Sequence, residues 1–143
     1  MDRGEFDLLL QLPQKVVRGD LEFVVDEARA PLKRLRSLAV ESSGLWTVKL
    51  DGWYNAETDG LSFTFSCAQV NSKPICRVDV RGPEHDDGGR THKHELRRET
   101  CPRRNLPTRL ARPDLEAMSP GEVWQDLCTR ASILHVGAFI DPR

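Results

Sequence analysis

Three of the four histidines in this 143-residue chain, His85, His92 and His94, fall within ten positions, beside Asp79, Asp86, Asp87 and Arg81. Three chemistries fit such a group. An H-x-H pair on a strand presents two imidazoles on one side, about 6–7 Å apart, and binds a metal if a third ligand comes from elsewhere. The same pair can divide acid–base work on a phosphodiester. Imidazole titrates near neutral pH, so one ring takes the proton of a ribose 2′-hydroxyl while the other delivers one to the leaving oxygen. In the third case the rings decorate an exposed strand, the Asp-Asp-Gly-Gly run is only a turn, and nothing reacts.

Charge favours the acid–base reading. The formal net charge is −1, yet residues 90–112 hold eight Lys or Arg against two Glu. A basic stripe directly after the histidines suits phosphates or an acidic partner, and equally a plain solvated face or loop. Arg81, Arg97 and Arg98 are the candidates to hold a phosphate and its developing charge, and Arg103 and Arg104 to neutralise the flanking backbone. Across 75–80, Arg77 and Asp79 alternate with Cys76, Val78 and Val80, so the charged pair reads as the solvated side of a strand.

The elements that position these residues follow from local pattern. Asp2 and Glu5 are spaced as a capping box ahead of Phe6, Leu9 and Leu10, which predicts an N-terminal helical segment over 2–18, kinked near Pro13. Alternating apolar residues predict strands over 21–25, 32–40, 45–50, 61–69, 75–80 and 91–98. On the last of these His92, His94, Leu96 and Arg98 share one face. Residues 99–118, with three prolines and a basic balance, read as irregular. Ser119, Pro120 and Glu122 then mark the start of a helix over 119–136, with Val123, Trp124, Leu127 and Leu134 as its apolar stripe. The expected fold is α+β in a single domain: a short N-terminal helix, a five- to seven-stranded mostly antiparallel sheet over 21–98, and a C-terminal helix packed on one sheet face.

Composition sets the remaining expectations. The longest early apolar run is Leu8-Leu9-Leu10, far short of a membrane span or a signal peptide, so a cytoplasmic protein is expected. Cys67, Cys76, Cys101 and Cys128 lack C-x-x-C spacing and read as free thiols.

The run Val78-Asp79-Val80-Arg81-Gly82-Pro83-Glu84-His85, a glycine-bearing turn and Thr91-His92-Lys93-His94 together resemble an L-D-L-x-G-P-x-H … P-x-H-x-H pattern found in a group of small uncharacterised bacterial proteins. The histidine strand followed by a late helix is also similar to TumE-type toxins. That resemblance implies a toxin–antitoxin or mobile-element setting. His92-x-His94-x4-Glu99 resembles the first half of the cupin metal motif, but the second half is absent, and no metal or cofactor is assigned. The reading is thus a toxin-like endoribonuclease, metal-independent, with His92, His94 and His85 as catalytic residues and RNA as its partner. The alternative is a non-catalytic interaction module that docks an acidic antitoxin or another protein.

Overall fold

The computed structural model describes residues 1–86, 89–96, 106 and 108–143. Among these, two helices, α1 (Arg3–Gln11) and α2 (Pro120–Arg130), accompany a ten-stranded sheet. Its strands are β1 (Lys15–Arg18), β2 (Phe23–Val25), β3 (Leu32–Leu35), β4 (Leu38–Glu41), β5 (Val48–Asn55), β6 (Gly60–Cys67), β7 (Lys73–Val80), β8 (His92–Glu95), β9 (Arg109–Ala111) and β10 (Ile133–Val136). They run in the order β10-β1-β4-β5-β6-β7-β8-β9, and β3, with β2 beside it, also pairs with β5. All of these ladders are antiparallel except β1 with β10. The α+β, mostly antiparallel class is as expected, but ten strands replace the expected five to seven.

Both helices start on the capping boxes read from the sequence. Asp2 Oδ1 accepts from the Glu5 amide at 2.9 Å, and Ser119 Oγ accepts from the Glu122 amide at 3.3 Å, so orphan N–H groups of each first turn find partners. Leu61, Phe63, Phe65 and Cys67 alternate into the core, where the Trp124 ring of α2 lies 5.4 Å from that of Phe63. Phe6 and Leu9 of α1 and Leu127 of α2 line one cavity with Phe65 and Cys76, so both helices cover that side of the sheet.

Several boundaries correct the sequence reading. The segment 2–18 is helical only to Gln11, and residues 15–18 form β1. The side chain of Lys15 explains the stop. It is buried, and its Nζ donates to the carbonyls of Leu9 and Leu10 at 3.0 Å each and to that of Leu12, taking up the open C-terminal end of α1. The single strand expected over 32–40 is two, β3 and β4, which pair with different halves of β5. The segment 99–118 contains β9, and the helix over 119–136 ends at Arg130. Ser132 takes a left-handed φ of 51°, after which β10 pairs with β1 and carries Leu134 outward, 60% exposed, instead of into the helix stripe. No helix among the described residues is long and apolar enough to cross a membrane.

Lys15 supports a prediction about this corner. Lys15→Met keeps the apolar stem but leaves three carbonyls without their donor, so it should cost about 1–3 kcal/mol in denaturant unfolding. Unchanged stability would mean that water caps α1 equally well.

Candidate functional site

Four side chains converge where β7 meets β8. The register pairs Asp79 with His92 and Arg77 with His94, so all four stand on one face of the sheet. The turn between the strands sets that register. Arg81 leaves β7 with a left-handed φ of 52°, and its amide donates to Thr91 Oγ1 at 3.1 Å. The Gly82 amide donates to the Arg90 carbonyl at 2.9 Å, and Gly89, at φ 63°, donates to the carbonyl of His85 at 2.8 Å. A positive φ at that last position favours glycine. It turns the Gly89 carbonyl onto the His92 ring.

Both histidines are held by backbone carbonyls. Nδ1 of His92 lies 3.1 Å from the Gly89 carbonyl, and Nδ1 of His94 lies 2.8 Å from that of Leu106. A carbonyl only accepts, so each Nδ1 carries the proton, and each Nε2 of a neutral ring presents a lone pair. These two Nε2 atoms are 3.0 Å apart, and Asp79 Oδ2 lies 3.5 Å from that of His92 and 3.3 Å from that of His94. Three acceptors therefore point at one place. Arg77 borders them, with Nε 2.8 Å from Asp79 Oδ2 and Nη2 2.8 Å from His94 Nε2.

The site is buried: His92 is 1% exposed, His94 3% and Asp79 6%. Burial pulls the Asp79 carboxyl up, but its close contact with His94 and the charge of Arg77, whose Nε donates to it, outweigh burial and hold the group below the usual carboxylate range. Burial also holds His92 below the usual imidazole value, against the opposing pull of Asp79. At neutral pH the cluster therefore offers an ionised carboxylate and, at His92, a free lone pair.

Two neutral rings with facing lone pairs repel unless a cation or a proton lies between them. An ion about 2.1 Å from each donor separates them by about 3.4 Å if tetrahedral and about 3.0 Å if octahedral. The observed 3.0 and 3.3 Å fall in that range and 3.5 Å lies about 0.1 Å beyond it. Asp79, His92 and His94 are accordingly a set that can hold a metal ion. The same spacing leaves no room for a phosphorus atom between the two rings.

The other expected site residues are placed as follows. The ring of His85 stands edge-on to His92, with centroids 5.2 Å apart, so it borders the cluster. Arg81 is directed elsewhere: Nε donates to the Asp59 carbonyl at 2.8 Å, and Nη1 to those of Glu116 at 2.6 Å and Met118 at 3.2 Å. Arg97, Arg98, Arg103, Arg104 and Glu99 lie outside the described residues.

Asp79 and Arg77 are the members of this cluster that strand alternation missed, because a charged pair opposite apolar neighbours reads as solvated. A signal for them exists. A hairpin folded about the Gly82–Gly89 turn places Asp79 opposite His92 and Arg77 opposite His94. Comparison of the chain with models of known protein families, with curated proteins and with solved structures finds no match.

Proposed function

We propose that this protein is a metal-dependent hydrolase whose ion is held by Asp79, His92 and His94. One observation carries the reading: two imidazole lone pairs and a carboxylate oxygen lie within 3.0–3.5 Å of one another, with both rings already oriented by backbone carbonyls. Metal-ligating histidines commonly donate their second ring N–H to a carbonyl or carboxylate, which fixes the ring before the ion arrives. Three protein ligands leave a position for water, and the chemistry such an ion supplies is a water acidic enough to attack at neutral pH. Arg77 gains a role as well. Once His94 gives its lone pair to an ion, Arg77 Nη2 is released to face an anionic oxygen of the substrate.

As substrate we propose an RNA phosphodiester, cleaved by addition of water to phosphorus with departure of one ester oxygen as the alcohol. The toxin-like role belongs to the same proposal and rests on the resemblance of the segment around the histidines. The test is calorimetric titration of chelator-stripped protein with Zn²⁺, Co²⁺ and Mn²⁺, alongside cleavage of a labelled single-stranded RNA. The expected result is one equivalent bound and cleavage that is lost on chelation and restored by one of the ions. Protein that binds no stoichiometric metal would refute the reading.

The metal-independent reading keeps one observation in its favour. With a single shared proton, the 3.0 Å contact between the Nε2 atoms becomes a hydrogen bond, giving a coupled acid–base pair. Cleavage that survives chelation and disappears in His92→Ala would select it. Stoichiometric metal without cleavage of any RNA would leave the interaction module, with the ion as its brace.

A further inference from the structure

A second cavity opens where the ends of β3 and β5 meet the turn after β7, with Gly82 and Pro83 in its wall. It has a volume of about 430 Å³, within the roughly 300–1,000 Å³ typical of small-ligand pockets. Arg29, Arg34, Arg81 and Arg90 line it together with the half-buried Trp53, and no carboxylate among the described residues does. Two of the four cations are already balanced. Arg34 Nε pairs with Asp26 at 2.7 Å, and Arg81 Nε with Asp59 at 3.1 Å. Arg29 and Arg90 have no carboxylate partner among the described residues; the one hydrogen bond of the Arg90 side chain runs from Nε to the Gly82 carbonyl at 3.2 Å. Two uncompensated guanidinium groups around an indole suit a ligand that is anionic at one end and flat at the other.

We infer that this cavity binds a nucleotide unit, its base against Trp53 and its phosphate between Arg29 and Arg90. An indole stacks on any base because every base has a π face, and guanidinium groups match phosphate oxygens in pairs. Position adds to the argument. Trp53, Ser62, Asp79 and His92 are partners in register on four adjacent strands and stand on the same face. At about 4.8 Å between strands, the strand of Trp53 lies roughly 10 Å from that of Asp79. A chain of nucleotides seated in the cavity therefore extends along the sheet toward the histidine cluster. As a nucleotide site the cavity stands on its own residues. As the place that holds substrate for cleavage it rests on the hydrolase reading.

The ligand chemistry has two sources, a free mononucleotide or one unit of single-stranded RNA. Binding is measured in the presence of chelator, so that failure of the metal reading leaves the result intact. The probes are a fluorescently labelled single-stranded RNA decamer followed by anisotropy, adenosine 5′-monophosphate and inorganic phosphate as competitors, and an acidic peptide as the control for a protein partner. The RNA is expected to bind at low salt, and Trp53→Ala to weaken it about 5- to 150-fold, the loss of one stacked base. Trp53→Phe, which keeps a π face and fills most of the space, should restore most of the affinity and guards against a folding defect. The double variant Arg29→Ala/Arg90→Ala, which releases the one phosphate held between them, should flatten the log–log salt slope by about 0.7. Competition by the mononucleotide at a concentration near its own dissociation constant assigns the site to free nucleotides; RNA binding that it does not displace assigns it to a strand. Absence of binding by both, or equal RNA affinity for wild type and Trp53→Ala, overturns the inference, and capture of the acidic peptide alone assigns the arginines to a protein partner.

Discussion

Replacing Asp79 by asparagine should weaken divalent-metal binding by more than about 100-fold, since even the groups that only orient metal ligands cost roughly 10–100-fold when lost. Asparagine has nearly the same shape, so the substitution removes charge and leaves packing in place. The remaining two imidazoles then offer lone pairs without the anion that makes the centre attractive to a dication. Stability should fall as well, by about 1.5–3 kcal/mol, because Arg77 Nε loses a charged acceptor in a buried setting. Calorimetry reads the first effect and urea unfolding the second. Metal affinity equal to wild type in a folded Asp79→Asn protein would place the ion elsewhere.

The largest effect on folding should come from Trp124→Ala, at about 3–5 kcal/mol. Trp124 is 2% exposed, packs 5.4 Å from Phe63 and 5.7 Å edge-on from His135, and so joins α2 to the central sheet and to β10 at once. Its removal leaves a void that a sheet on one side and a short helix on the other cannot close, and the unfilled volume adds to the lost burial. The measurement is the shift of the denaturant midpoint at unchanged slope. A shift of less than about 1 kcal/mol, well under the usual range for a buried tryptophan, would mean that α2 moves in to fill the space and that the helix is peripheral to the core.

These two residues differ in how far the sequence announces them. Trp124 follows a cap, a proline at the first helical position and a valine on the same stripe, so its burial against a sheet is readable from a few neighbouring positions. Asp79 sits in a strand among Cys76, Val78 and Val80 and offers no local sign that its own side is buried too. Arg81 shows the reverse: its place beside the histidines in sequence suggests a phosphate contact, yet a left-handed backbone at that position turns the side chain to Asp59 and to the carbonyls of Glu116 and Met118.

Local pattern is enough for the two helix starts, for β6 and β7 to within two residues at each end and for the common face of His92 and His94, because caps and pleat alternation act between residues a few positions apart; it places a strand over 45–50, whereas β5 runs over Val48–Asn55. It did not determine the end of α1, which depends on a lysine reaching back to three carbonyls, or the β1–β10 ladder, whose members come from opposite ends of the chain. Tertiary structure alone decided that Asp79 meets both imidazoles. A strand's charged side is dry only when something covers it, and the distance between two side chains on neighbouring strands is set by register and closure of the whole sheet.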